Sequence, residues 1–203
     1  MSKQYKNMVL CAVVSLCVSC ATVAPAKVEN GLYINPEYQF SVRVPTGWDM
    51  SKEIPPSLGK GMSFVSRQKF RAAFTDLKNK RFILVMAEKT EADWVSFRMY
   101  VDKFITALDK NLAEQRKKFL AKPGWKDYRY EICDDRIKAC DETCVASKID
   151  FHHQDLKATG HNIVYKSNHG ILYAVSVILV AREEVYEAGM THFRSVVDSF
   201  AHL

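Results

Sequence analysis

The sequence lacks the motifs that mark the most familiar catalytic sites. It contains no GxSxG nucleophile turn, no glycine-rich phosphate-binding loop, no HExxH and no CxxCH. These absences argue against the common serine hydrolases, P-loop nucleotide enzymes, zinc proteases and c-type haem proteins. Serines are numerous, but no motif places a base beside any of them. The sequence therefore predicts no catalytic residue and no cofactor.

Internal repeats, low-complexity segments and a strong charge imbalance are missing as well. The 203 residues include 29 Lys and Arg against 23 Asp and Glu, which gives a formal net charge of +6. This mildly basic balance does not call for a nucleic-acid partner. The length suits one domain of ordinary size with a real hydrophobic core.

The first twenty residues carry the clearest pattern. Lys3 and Lys6 give a positive start without an acidic residue, and an apolar or small stretch follows from Met8 to Val18. That stretch has the length of a signal-peptide core and is too short to span a bilayer, which takes roughly 20 apolar residues. We therefore expect export and removal of residues 1–19. The mature chain would then hold 27 basic and 23 acidic residues, a net charge of +4.

The residues at the end of this segment, CVSCA, resemble a bacterial lipobox. Small side chains fit the peptidase cleft, and the thiol of Cys20 would accept a diacylglycerol. Cys17 stands where Leu is usual, and an ordinary cleavage after Ala21 or Ala26 would instead give a soluble periplasmic or secreted protein. Ala21 rather than Asp after Cys20 resembles outer-membrane sorting. The expected location is therefore the cell envelope, anchored to the periplasmic side of the outer membrane rather than the inner one.

The remaining chain divides into a tether, residues 20–30, and one domain, residues 31–203. Apolar alternation and continuous apolar runs predict strands at 38–44, 62–67, 70–75, 81–88, 128–132, 145–153, 161–166 and 171–180. Periodicity predicts amphipathic helices over about 91–120, with Thr90 as N-cap, and over 182–200, where Gly189 would allow close packing. Most consecutive strands in this order are connected as hairpins. The expected fold class is α+β, a central antiparallel sheet flanked by helices.

Both ends of the domain resemble PsbP-like domains. The opening LYINPEYQFSV and VPTGW, and the closing GILY and FRSVVDSF, carry the resemblance over nearly all of residues 31–203. It implies an α/β/α sandwich and a binding or assembly-assisting module without chemistry of its own. The motif residues are structural, because the aromatic side chains pack the core and Gly47 makes a turn.

Three cysteines, Cys133, Cys140 and Cys144, lie in and beside a short acidic segment between two predicted strands. They are not part of the family pattern. Thiols pair in an oxidising compartment, so we expect one disulfide. A Cys133–Cys144 bridge would staple the hairpin and leave Cys140 free, while a Cys140–Cys144 bridge is the alternative. Two further interpretations are a metal site formed by these thiolates with a nearby His, and an intermolecular disulfide.

Two histidines are weak metal candidates. If Phe151 pairs with Ile163 across the hairpin, His153 falls opposite His161, and His152 or Asp155 would supply a third ligand. The competing interpretation is two exposed histidines at a loop end, and it is the one we favour, so no metal is predicted. A basic segment over residues 67–81 would meet anionic head groups or an acidic partner, or would simply be solvated.

These patterns together favour a lipid-anchored envelope lipoprotein that acts as a non-catalytic binding or assembly accessory module. Its expected partners are the membrane, through the N-terminal lipid, and a protein. The alternative is a thiol redox or metal-binding protein that uses the cysteine segment 133–144 and the nearby histidines.

The cysteine prediction is testable by counting thiols. Alkylation of the denatured, unreduced mature protein should modify one of the three domain cysteines, located by peptide mass mapping. A Cys140→Ser variant should lose that signal if Cys133 and Cys144 form the disulfide. Two thiols that cycle reversibly with a redox buffer would favour the redox alternative instead.

Overall fold

The structure is a computed structural model that describes residues 24–58, 67–93, 101–133, 145–167 and 169–203. Over these ranges the backbone forms eleven strands and two α-helices. The strands are β1 (Lys27–Glu29), β2 (Leu32–Asn35), β3 (Phe40–Arg43), β4 (Asp49–Ser51), β5 (Phe70–Asp76), β6 (Arg81–Asp93), β7 (Trp125–Cys133), β8 (Val145–His153), β9 (Leu156–Lys166), β10 (Ile171–Arg182) and β11 (Ala201–His202). The helices are α1 (Val101–Leu120) and α2 (Glu183–Asp198).

The strands form two antiparallel sheets. The main sheet has the order β4-β5-β6-β10-β9-β8-β7, and the small sheet has the order β1-β2-β3-β11. Helix α2 and the small sheet cover one face of the main sheet, and α1 lies against the other. The predicted α+β class and the central antiparallel sheet between helices are confirmed.

Strand β10 lies at the centre of the main sheet because it is apolar on both faces. Its Val175, Val177 and Leu179 face α2 and are fully buried. The alternate residues Ile178 and Val180 point to the other face and are buried there. A strand of this kind is stable only with a covering layer on each side.

Helix α2 packs closely on this strand through Gly189. A Cβ built at Gly189 would lie 3.1 Å from Cδ1 of Leu179, so the absence of a side chain sets the approach of the helix. Phe193 and Val196 continue the buried stripe of α2. The end of the helix is tied to β3, because Oγ of Ser199 accepts a 2.7 Å hydrogen bond from the amide of Arg43.

The small sheet closes the same side of the core with aromatic side chains. The rings of Phe40 and Phe200 stack at 6.0 Å, and the hydroxyl of Tyr165 donates to the carbonyl oxygen of Tyr38. Residues 27–29, which the sequence assigned to the tether, form edge strand β1 and pair with β2. The folded domain therefore begins a few residues earlier than residue 31.

The largest difference from the sequence prediction lies at the start of the first helix. Thr90 is not an N-cap, because β6 continues to Asp93 and pairs along that length with β10, as Lys89 with Tyr173 and Asp93 with Ile171. Pairing with the central strand satisfies the backbone there and overrides local helix signals. The helix is confirmed over Val101–Leu120. Most of the strand predicted at residues 62–67 lies outside the described residues.

Filling the contact at Gly189 should destabilise the fold. We expect Gly189→Leu to lower the free energy of unfolding by about 1 to 3 kcal/mol, since the added atoms overpack a full core against Leu179. Ala188→Leu, on the exposed face one residue away, is the matched control and should change stability by about 0.5 kcal/mol or less. Urea unfolding measures both variants. Equal stabilities would contradict the close approach.

Candidate functional site

A cavity lies between α1 and the main sheet, on the face away from α2. Its volume is about 290 Å³, and its wall carries four aromatic side chains, Phe119 from α1, Trp125 and Tyr128 from β7, and Phe151 from β8. Gly160 of β9 forms part of its floor. We call this cavity the aromatic pocket. Concave, largely apolar sites with a few polar groups are the usual form of small-molecule sites.

The aromatic side chains form one connected group. The rings of Phe119 and Trp125 stack at 4.4 Å, and Phe119 and Tyr128 stack at 5.4 Å. Trp125 also lies 5.2 Å from Phe151. Tyr128 and Phe151 are buried, whereas Phe119 and Trp125 are only half-buried. The latter two therefore belong both to the pocket wall and to the protein surface.

The floor of the pocket includes a glycine against which Ile178 packs. A Cβ at Gly160 would lie 3.2 Å from Cγ1 of Ile178 on the neighbouring strand. The two residues pair across β9 and β10 and both line the pocket, so a side chain at position 160 would crowd Ile178 and change the floor. Helix α1 contacts mainly β7 at the edge of the sheet and does not fill this space.

A second, more polar hollow of about 400 Å³ adjoins the aromatic pocket. We call it the polar hollow and define it by Asn111 of α1 and by Ser147, Asn162 and Ser176 of the sheet. Gln115, Ile149 and Asn162 line both spaces and mark their boundary. Two amides and one aliphatic side chain therefore separate the aromatic pocket from the polar hollow.

The boundary amides are held by hydrogen bonds. The hydroxyl of Tyr128 donates to Oε1 of Gln115 at 3.2 Å, and Nε2 of Gln115 donates to Oδ1 of Asn111 at 3.4 Å. Nδ2 of Asn162 donates to Oγ of Ser147 at 3.2 Å. Burial raises the pKa of Tyr128 to about 12, with a smaller contribution from Tyr130, so the hydroxyl stays a neutral donor at physiological pH.

Exposed lysines surround the end of α1 that carries Phe119. Lys117 and Lys118 lie in the last turn, and Lys122 and Lys126 follow it. Nζ of Lys122 lies 5.2 Å from the Phe119 ring, which places positive charge beside the pocket. The charge of Lys126 contributes to lowering the pKa of Glu183, so this lysine lies toward the start of α2. We call Lys117, Lys118 and Lys122 the lysine rim. None of them forms an ion pair within the described part of the chain.

The predicted cysteine site is described only at one position. Cys133 is the last residue of β7, and its backbone pairs with Ala146 of β8, so the hairpin that the cysteines were expected to flank is present. Cys140, Cys144 and the lipidation candidate Cys20 lie outside the described residues. Their disulfide and lipid bonds stay predictions.

The expected pairing of His153 with His161 is wrong. Strand β9 begins at Leu156, five residues earlier than predicted, because a tight turn with Gln154 at φ 57° closes the hairpin. His153 therefore pairs with Leu156, and His161 pairs with Lys148.

The two histidines consequently meet different neighbours. His153 lies 5.0 Å from the Trp125 ring, on the α1 side of the sheet. His161 packs edge-on against Phe193 of α2 at 5.5 Å, on the opposite side. Within the described ranges, no three His, Cys, Asp or Glu side chains gather closely enough to hold a metal ion.

The basic segment does not form one basic face. Arg81 is buried in an ion pair with Asp76, and Arg71 donates to the hydroxyl of Tyr38. Lys69 pairs with Glu88 at 2.6 Å. These side chains therefore make contacts within the folded domain.

The aromatic pocket and the lysine rim were not predicted, although the aromatic residues at 119, 125 and 128 stand beside lysines in the sequence.

Comparison with known proteins identifies the fold. No family model and no curated protein matches the sequence. Among solved structures, the chain is similar to the cyanobacterial PsbP protein (CyanoP) of Synechocystis, with a TM-score of 0.54 and 15% identity over 93% of this chain and 99% of that chain. LpqN, involved in cell envelope biogenesis of Mycobacterium tuberculosis, gives a TM-score of 0.49 and 10% identity over 80% of this chain and 82% of that one.

The similarity to the cyanobacterial protein shows that this chain has a PsbP-like fold, as its terminal motifs predicted. It extends over nearly the whole of both chains, so the sheet and both helices are included. Neither helix in the described ranges is both long enough and apolar enough to cross a membrane.

His161 should make stability depend on pH. Burial, and then the nearby charge of Lys148, lower the pKa of His161, while Asp150 and Asp198 oppose the shift. The folded state thus binds fewer protons here than the unfolded chain, so stability falls as pH drops below the unfolded pKa of about 6.5. In His161→Gln we expect a shallower fall in the free energy of unfolding between about pH 8 and about pH 5. Exposed His169→Gln is the control and should keep the wild-type slope, and equal slopes in all three proteins would contradict the assignment.

Proposed function

We propose that this chain is an envelope lipoprotein that acts as a non-catalytic binding or assembly accessory module. A lipid on Cys20 holds it at the membrane, on the periplasmic side of the outer membrane. The aromatic pocket beneath α1 is its binding site. The pocket is the observation that carries the binding role, because apolar space of this size is normally filled in a folded core.

The N-terminal sequence supports the location. A positive start, an apolar core of signal-peptide length and small residues before Cys20 agree with export and lipidation. The first strand begins at Lys27, so six residues, 21–26, separate the anchor from the fold. Fully extended, the seven steps from Cys20 to Lys27 span about 25 Å at most, which would keep the domain close to the membrane surface.

The fold supports an accessory role. A PsbP-like fold carries no reaction by itself, and function must be argued from the site it bears. Here the site consists of aromatic walls, boundary amides and an adjoining lysine rim. These groups suit recognition of a ligand by burial and charge rather than nucleophilic or acid–base chemistry.

Substitution of Cys20 tests the anchor. Cys20→Ser removes the thiol that accepts the lipid, so the protein should move from the membrane fraction to the soluble fraction and lose labelling by radioactive palmitate. Cys11→Ser, within the apolar core of the signal segment, is the matched control and should remain membrane-bound and labelled. Palmitate labelling that persists in Cys20→Ser would overturn the lipoprotein assignment.

A further inference from the structure

We propose that the aromatic pocket binds a single hydrocarbon chain of an anionic membrane amphiphile, with the head group at the lysine rim. The proposal rests on the proposed function for the source of the ligand, because the short tether keeps the pocket near a bilayer. It goes further in naming the chemistry of the ligand and the orientation in which it binds.

The lining of the pocket favours a hydrocarbon chain. Its wall is formed mainly by aromatic and aliphatic side chains, and Gly160 adds no side chain to its floor. Gln115 and Asn162 lie at its boundary with the polar hollow, and the first of these already accepts a hydrogen bond from Tyr128. A chain bound here buries methylene groups, each raising the affinity about fourfold, and leaves the boundary amides paired.

The charges decide the orientation of the ligand. Nζ of Lys122 lies beside the Phe119 ring, where Phe119 and Trp125 reach the surface, and Lys117 and Lys118 are exposed in the adjoining last turn of α1. At the far end, Glu88 lines the polar hollow, but its charge is paired with Lys69. A negative head group is therefore attracted to the lysine rim, so its chain enters past Phe119.

The same rim explains why a membrane amphiphile is preferred to an apolar peptide. Lysines beside half-buried Trp and Phe side chains, with Leu120 40% exposed, are the composition of surfaces that meet anionic lipid head groups. A bound peptide would need hydrogen-bond partners for its backbone along the pocket. The nearest candidates, Gln115 and Asn162, already hydrogen-bond to Tyr128, Asn111 and Ser147.

Binding of matched amphiphiles to the full chain tests the proposal. The Cys20→Ser chain, purified without detergent, should bind dodecanoate in a calorimetric titration, and octanoate should bind about two hundredfold more weakly because four methylene groups are lost. Dodecyltrimethylammonium has the same chain with a positive head group and should bind at least about tenfold more weakly than dodecanoate. Equal affinity for the two dodecyl compounds would overturn the proposed orientation.

Pocket variants locate the site. Gly160→Val should abolish dodecanoate binding, since its side chain enters the pocket beside Ile178. If that variant does not fold, Gln115→Trp fills the same space from α1, with Glu114→Trp on the exposed side of the helix as the matched control. Unchanged binding by a folded pocket variant would refute the pocket as the site.

Rim variants test the head-group contact. Lys118→Glu combined with Lys122→Glu should weaken dodecanoate at least about tenfold and strengthen the ammonium compound. Lys110→Glu, exposed on the same helix and away from the pocket, should change neither affinity. Loss of binding of both compounds in the rim variant, or no change in either, would contradict the head-group assignment.

Native mass spectrometry of wild-type protein extracted from membranes should show a bound lipid anion, and a bound peptide in its place would overturn the ligand class.

The lipid anchor and the proposed ligand can be refuted independently of each other. Wild-type protein found in the soluble fraction while Cys20→Ser binds dodecanoate would defeat only the anchor. Membrane-anchored wild type with no amphiphile binding by the Cys20→Ser chain would defeat only this inference.

Discussion

The fold depends on one strand that is apolar on both faces. Val177 and Leu179 of β10 point to one side of the main sheet, and Ile178 and Val180 point to the other. Such a strand cannot be exposed on either face without loss of the burial that stabilises it. It therefore lies in the middle of seven strands, with a covering layer on each side. The order of the layers follows from this requirement.

The layers on the two faces of the main sheet pack differently, and this difference creates the candidate site. On one side Gly189 brings α2 into direct contact with Leu179, and the aromatic residues of the small sheet complete the packing. On the other side α1 rests mainly on the edge strand β7. Gly160 and Ser176 leave space beneath it. Unfilled space in a core costs stability, and it is tolerated where a ligand restores the missing contacts.

Positive charge at one end distinguishes the two ends of the aromatic pocket. Nζ of Lys122 lies beside Phe119 at one end of the aromatic pocket, whereas Glu88 at the other end is paired with Lys69. By contrast, Arg71 and Arg81 of the basic segment serve the fold itself.

Local pattern was sufficient for the long strands of the main sheet, for α2 and the described part of α1, and for the PsbP-like class, because alternation and terminal motifs report which residues face a core. It did not predict the short strands β1, β2, β4 and β11. The export segment and the lipidation candidate Cys20 were also inferred from the sequence alone. Register was not predictable: a tight turn at Gln154 moved β9 and separated His153 from His161 onto opposite faces. Long-range pairing with β10 likewise kept Thr90 in a strand. The pocket was invisible in the sequence, because it is the space left between a helix and a sheet that meet only in the tertiary structure.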